Sequence, residues 1–379
     1  MKCFRIDESG YTGFDLLNAE QRFQGASAIA IEDDEAAALI RDYFPRLQAG
    51  ELKYRSLSRR PGNHERLLGL LRDIHAHYEC VTYVCDKRHL LTVMFIDYAV
   101  EPFYYERGHD LYVDGGTYAM ASLLYAVGPT LFGREGFDEL LIAFELAVKE
   151  KSPLYRIRLI SAARNIDWSQ LEEILGPVTQ ACPDCWQAIA TPGVNTDAAC
   201  IVLQSLISRM EAMTNGAYRV EHDQSKNLLA YNALIKKFIN HNEEIEFRTT
   251  EIASLKFPLK LTEVIQVDSK HSSAVQLADV MIGAAIEGAN TIAGLRTGGL
   301  DPDGIFQIYA DGQFIHMSPM VDFEENRRFR KGSRSSEMID YFTKHFSDRG
   351  EGPGAYPEAL SGNARHCPAA ALSRPRPQR

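Results

Sequence analysis

Apolar and polar positions change period several times along this chain, and the changes mark its elements. Phe4-Arg5-Ile6-Asp7-Glu8 alternates like a short strand and ends on two acids, followed by Ser9-Gly10, the chemistry of a tight turn. A second strand is expected over residues 22–31, where alternation passes into a continuous apolar run. Residues 35–44 and 66–75 carry apolar side chains at helical spacing, the first stretch stopped by Pro45. Residues 80–85, rich in Val, Thr and Tyr, read as a strand.

The pattern then changes. Residues 88–216 read mainly as helices, at 118–127, 137–149, 168–174 and 198–213, and form a helical insertion or cap between strand-like segments. Beyond it, residues 217–222 predict a strand ending at Asp223, residues 227–239 a helix, and residues 261–267 a strand ending at Asp268. A helix over 272–286 follows, with Ser272 or Ser273 available as its N-cap. Residues 335–345 predict a last helix, and the Pro-, Gly-, Ala- and Arg-rich stretch 350–379 a disordered tail. The expected architecture is α/β, a mixed sheet flanked by helices. Its core is 1–87 with 217–290, its helical insertion 88–216, and its C-terminal extension 291–349.

At 379 residues and 45% hydrophobic, the chain can bury a substantial core. Its formal net charge of -10 has the wrong sign for coating DNA through a general field, so nucleic acid would be held by local basic patches. The chain starts directly in a strand-like run without a signal peptide. The longest apolar stretch, 117–132, contains Pro129 and is short for a bilayer span. With seven cysteines, this predicts a cytoplasmic protein with reduced thiols and no membrane partner. Cys182-Pro183-Asp184-Cys185 invites a zinc site with Cys200 as third ligand. No second Cys pair or His pair completes it, and packed thiols are the preferred reading. No glycine-rich phosphate loop is present, so no nucleotide cofactor is expected.

The placement of acids carries the chemistry. Asp7 and Glu8 end the first expected strand, Asp223 another, and Asp268 a third, while Asp279 follows on the next helix. In a sheet covered by helices such positions converge at one edge. Converging carboxylates repel unless a cation neutralises them, and hard oxygen donors without His or Cys select Mg²⁺ or Mn²⁺. On the helix, Gln276, Asp279 and Gly283 share a face, and Gly283 would let that face approach the sheet closely. An Asp inside Val-Gln-Leu-Ala-Asp-Val-Met-Ile-Gly needs a partner.

These residues also resemble a known family. Asp7-Glu8-Ser9-Gly10, then Asp268-Ser269-Lys270 with Val275-Gln276-Leu277-Ala278-Asp279-Val280-Met281-Ile282-Gly283-Ala284, is similar to the motif set of the domain-of-unknown-function 3800 family. Glu51-Leu52-Lys53 resembles its acid-x-lysine element, and Asp86-Lys87 another recurring feature. The resemblance spans roughly residues 2–290 and implies an RNase H-like core with nucleolytic activity.

The expected chemistry is two-metal phosphodiester hydrolysis of RNA or DNA. Asp7, Asp223 and Asp279 would be the principal metal ligands, with Glu51 or Glu8 completing the shell and Lys53 neutralising a phosphate oxygen. Gln276 would orient Asp279 or touch a phosphate. Arg55 (with Arg59 and Arg60), Lys270 and His271 would contact substrate. Tyr54 and Phe103-Tyr104-Tyr105 would offer stacking surfaces. Plainer roles stand beside these: a turn for Asp268, a turn and helix cap for Asp223, and a surface pair for Glu51 and Lys53. Two further basic clusters, Lys149 to Arg164 and Arg327 to Arg334, could hold a backbone or be solvated surface. Rival functions are a non-catalytic nucleic-acid or protein-binding member of the same fold, and a carboxylate-pair hydrolase acting on glycosides.

Overall fold

The computed structural model describes residues 1–47, 50–192, 194–223, 232–249 and 253–320, with a few isolated positions beyond them. It divides the chain into two units. The first comprises Met1–Thr12, Asn18–Asp86 and Val202–Met317; the second comprises Gly13–Leu17, Lys87–Ile201 and the residues from Ser318.

The first unit is built on a six-stranded mixed sheet. Its strands are β1 (Lys2–Ser9), β2 (Phe23–Ile29), β3 (Cys80–Asp86), β4 (Tyr218–Asp223), β7 (Leu261–Val267) and β8 (Phe314–Met317). They lie in the order β7-β4-β1-β2-β3-β8. β1, β2 and β3 form an antiparallel meander, while β4, β7 and β8 pair in parallel with β1, β4 and β3. A separate antiparallel pair joins β5 (Ile245–Thr249) to β6 (Ser254–Phe257). The expected mixed α/β sheet is therefore present.

β1 is the centre of this sheet and is buried on both faces. Its alternation separates two environments rather than core from solvent: Phe4 and Ile6 lie on one face, Arg5 and Asp7 on the other. Buried charges need partners. Arg5 meets Glu221 of β4 at 3.1 Å, Glu32 at 3.1 Å and the Ile31 carbonyl. Gly10 ends the strand at φ +83, and a Cβ there would stand 2.0 Å from the Phe23 carbonyl oxygen, so the turn after Glu8-Ser9 requires glycine.

One long helix, Ser273–Ile292, covers the Arg5–Asp7 face. Ser272 caps it, accepting from the Val275 N–H at 3.3 Å, while Asp33 accepts from the Ser272 hydroxyl and the Ala274 N–H. Leu277, Ala278 and Met281 pack with Ile29, Cys80 and the helix His64–His77, and Ile282 and Ala285 pack on Phe23 and Val84.

The second unit is helical through Lys87–Ala99, Gly116–Leu131, Arg134–Glu150, Pro153–Arg164, Glu172–Thr179 and Pro183–Ala190. Lys87–Ala99 buries every residue but Arg88, which erases the amphipathic period that would have marked it as a helix. β8 came from the stretch expected to be an extension, and the unit boundary falls inside the helix Ala199–Met213 rather than at residue 216. The start of the helix expected from 227, the cations Arg327, Arg328, Arg330 and Lys331, most of 335–345 and all of 350–379 lie outside the described residues. Among the described residues, no helix is long and apolar enough to cross a membrane.

Candidate functional site

The site lies where β1, β4 and the helix Ser273–Ile292 meet the segment Glu51-Leu52-Lys53-Tyr54. Asp7 follows Ile6, which pairs with His222, so Asp7 stands level with Asp223 on the neighbouring parallel strand. Both project to the face covered by the helix, from which Asp279 reaches back.

Each of these carboxylates is oriented by one backbone N–H. Asp7 Oδ1 accepts from Glu8 N at 2.8 Å, Asp223 Oδ1 from Ser269 N at 3.1 Å, and Asp279 Oδ2 from Tyr54 N at 2.7 Å. The second oxygen of each has no hydrogen-bond partner among the described residues. Asp279 also serves as an acceptor at the start of the short helix Tyr54–Ser58, whose first N–H would otherwise be unsatisfied.

The segment 51–54 is fastened from both sides. Gln276 accepts from Leu52 N at 2.8 Å and donates to the Ser269 carbonyl at 2.7 Å. Ser269 donates its hydroxyl to Glu51 at 2.6 Å, and Glu51 pairs with Lys53 at 2.9 Å. Tyr54 packs against Gly283, where a Cβ would come within 2.5 Å of its ring. One helix face, Gln276, Asp279 and Gly283, thus holds the whole segment, and Glu287 continues that face to Ser58 Oγ at 3.4 Å.

The electrostatics follow from burial. Asp7, 8% exposed, is pushed up to about 8, first by burial and then by Asp279, with Asp223 adding to the rise and Lys53 and the Glu8 N–H opposing it. Asp279 is also raised, by burial and then by Glu51 and Asp223, against the Tyr54 N–H and Lys53. Burial would raise Glu51, but hydrogen bonds from Lys53 and Ser269 outweigh it and hold the carboxyl below its usual range. Burial would lower Lys53, but Glu51, Asp279 and Asp7 together raise it. An anionic cluster therefore surrounds one ammonium group, and its most enclosed carboxyl resists ionisation.

Asp7, Asp223, Asp279, Glu51 and Lys53 are brought together; several other expected site residues are not. Glu8 falls on the opposite face of β1, where its charge acts on His222 instead. Gln276 engages both ends of its amide with backbone, so it positions the segment rather than contacting a phosphate. Gly283 admits Tyr54 rather than the sheet, and the buried Tyr54 ring offers no stacking surface. Asp268 accepts from Lys270 N at 3.0 Å and forms the turn after β7. Lys270 and His271 on that turn, with Arg55, Arg59 and Arg60, are exposed. Asp86 is ion-paired with Arg22 at 2.8 Å. In the second unit Lys151, Arg156 and Arg164 donate to backbone carbonyls and Arg158 pairs with Glu139, so these four cations are engaged within the unit, while Lys149 is exposed. Tyr104 likewise donates its hydroxyl to the Glu173 carbonyl.

Ser269 is the residue sequence reasoning passed over. It touches Asp223, Glu51 and Gln276 at once, and the signal lay in Asp268-Ser269 between a strand end and a helix cap. Among the described residues no three His, Cys, Asp or Glu side chains already converge as a metal cage; the side chain of Cys200 is not among those described. No family model matches the chain, and no curated protein or solved structure does either.

Proposed function

We propose that the first unit is a metal-dependent phosphodiester hydrolase acting on nucleic acid, with Asp7, Asp223 and Asp279 as ligands to Mg²⁺ or Mn²⁺. The observation that carries this reading is the way the three neighbouring carboxylates are each held by a single backbone N–H. Each has one oxygen tied to a backbone N–H and the other without a hydrogen-bond partner among the described residues, an arrangement suited to holding a hard cation. The donor set is all oxygen, and Asp279 and Asp223 add to the burial-driven rise of Asp7, a repulsion that a bound cation would relieve. Mg²⁺ commonly takes one or two carboxylates and completes its shell with substrate phosphate, so an open arrangement fits it better than a closed cage would. Bound there, the ion would supply charge neutralisation and an acidified water. Lys53 would meet a non-bridging phosphate oxygen, Glu51 would hold Lys53 in place, and Arg55, Lys270 and His271 would grip the backbone from exposed positions. The meander β1–β3 followed by parallel β4 and β7, with the acids at the ends of β1 and β4, supports an RNase H-like core.

A second reading has its own observation: Lys53 already brings positive charge to Asp7 and Asp279. The same cluster would then persist in a non-catalytic binding protein. Calorimetric titration with Mg²⁺ and Mn²⁺, beside cleavage assays on labelled RNA, DNA and hybrid, separates the two. Binding and cleavage that disappear together in Asp279→Ala and in chelator are expected. Cleavage that persists in chelator refutes the metal proposal, and nucleic-acid binding with neither metal uptake nor cleavage establishes the second reading.

A further inference from the structure

In the second unit, the short helix Glu101–Tyr105 and the helix Glu172–Thr179 border a groove of about 210 Å³. Phe103 and Tyr104 line it from the first helix, Gly176 and Pro177 from the second. Small-molecule pockets run to roughly 300–1,000 Å³, so this one suits one or two side chains of a peptide rather than a whole ligand.

Its aromatic wall is built by a proline. Pro177 has no N–H to give the Glu173 carbonyl four residues earlier, and the Tyr104 hydroxyl donates to that carbonyl instead, at 2.8 Å. Arg107 fixes Phe103: its guanidinium lies 3.5 Å from the ring centre, and its Nη1 donates to the Phe103 carbonyl at 2.7 Å. The two rings meet edge to face at 5.3 Å, and both stay half-buried. Gly176 keeps the floor low, since a Cβ there would lie 3.7 Å from Glu172 Cγ. The lining carries two charges, both negative, on the exposed side chains of Glu172 and Glu173. Neither carboxylate is ion-paired among the described residues. Aromatic grooves receive proline-rich segments in the polyproline II form, and an acidic edge selects arginine beside the proline.

The chain itself carries such a segment. Arg374-Pro375-Arg376-Pro377-Gln378-Arg379 alternates arginine with proline, and each proline restricts its own φ and the residue before it to a polyproline-compatible range. The segment lies outside the described residues. Its tether begins in the unit that carries the groove, where Met320 N donates to Ser122 Oγ at 3.0 Å.

We infer that this groove is a docking site for a basic proline-rich segment, and that residues 374–379 of the same chain occupy it. A polyproline II helix has three residues per turn and rises about 3.1 Å per residue, so Arg376 and Arg379 share one edge about 9 Å apart. Arg374 and Pro377 share the next edge. Docking those two edges sets Pro377 on Tyr104 and Pro177 and brings Arg376 and Arg379 to Glu172 and Glu173. Pro375 and Gln378 then point outward. Exposed ion pairs contribute little each, so the bound state depends on the tether and weakens with salt.

The test follows a fluorescein-labelled peptide of residues 372–379 by anisotropy against the full chain. Arg374→Ser, Arg376→Ser and Arg379→Ser together vacate the groove, and that chain should bind the peptide saturably. The wild type should bind it about ten-fold more weakly, because its own segment competes at an effective concentration near the millimolar range. Adding Glu172→Gln and Glu173→Gln to the vacated chain should weaken binding about five-fold, the worth of two exposed ion pairs, with circular dichroism verifying the fold. Within the peptide, Pro377→Ala should weaken binding more than Pro375→Ala. Four results overturn the proposal: no saturable binding to the vacated chain, equal affinity for the wild type, no effect of the two glutamate substitutions, or equal binding of a scrambled peptide. The last would mark a surface that attracts any cation.

Discussion

Replacing Asp7 with Asn gives the sharpest test of the acid cluster, because stability and function should move in opposite directions. Asp7 titrates at about 8 in the folded chain against an ordinary 3.8. In the unfolded chain the carboxyl is ionised at pH 7, whereas in the folded chain it stays protonated and forgoes that ionisation. The penalty is about 4 kcal/mol at pH 7, each tenfold in the equilibrium being about 1.4 kcal/mol. Asn is neutral in both states, has nearly the same shape, and keeps an oxygen for the Glu8 N–H. Allowing for its own solvation cost, Asp7→Asn should stabilise the metal-free protein by about 1–3 kcal/mol at pH 7, or about 2 °C in Tm per kcal/mol. The sign follows from the raised folded value. The contribution of Asp7 to stability is fully present below about pH 3.8, declines as pH rises, and is lost beyond about pH 8. Differential scanning calorimetry of both proteins between pH 4 and 8.5 should find their melting temperatures together at the acid end and diverging steadily above it. A difference that is constant with pH, or a variant that loses stability relative to wild type as pH rises, refutes the account. Saturating Mg²⁺ should reverse the order: at about a thousand times Kd it adds about 4.1 kcal/mol to the wild type alone.

Three further outcomes follow from the clamp around residues 51–54. Gly283→Ala drives a Cβ to within 2.5 Å of the Tyr54 ring and should cost about 1–3 kcal/mol in urea unfolding, with a drop in metal affinity. Gln276→Ala strands the Leu52 N–H and the Ser269 carbonyl, and should cost about 2–4 kcal/mol in the same assay. Lys53→Met removes the cation that opposes the rise of Asp7 and Asp279. The pH midpoint of Mn²⁺ binding should therefore move upward by calorimetric titration, because the acids deprotonate later.

The strands and the capped helix were legible because their signals are local. Ser272 caps where a serine was expected, and β7 occupies residues 261–267 as read. The acids at the ends of β1 and β4 were legible for the same reason, since strand ends are visible in the pattern. What stayed hidden depends on partners far away in sequence. Glu8 looked equivalent to Asp7 until pairing with β4 assigned the two to opposite faces. Gln276 looked like a phosphate ligand because nothing in its own helix reveals that Leu52 and Ser269 occupy its amide. Lys87–Ala99 carries no amphipathic stripe because it is enclosed all round, so its period could not report it. β8 is four residues long, and its pairing with β3 joins positions more than two hundred apart.

The hold of the helix on residues 52–54 has a metrical consequence. Leu52 and Tyr54 are two residues apart with an extended Lys53 between them, and their N–H groups meet Gln276 and Asp279, three residues apart on a helix. Two extended residues advance roughly 6.6 Å and three helical ones about 4.5 Å, so the spacings disagree by about 2 Å. Gln276 is one methylene longer than Asp279, and that extra reach takes up part of the difference. The helix face acts as the edge of a strand with unequal rungs, each cut to its own length. Exchanging the two lengths, with Asn at 276 and Glu at 279, would conserve every polar group and still put the acids out of step.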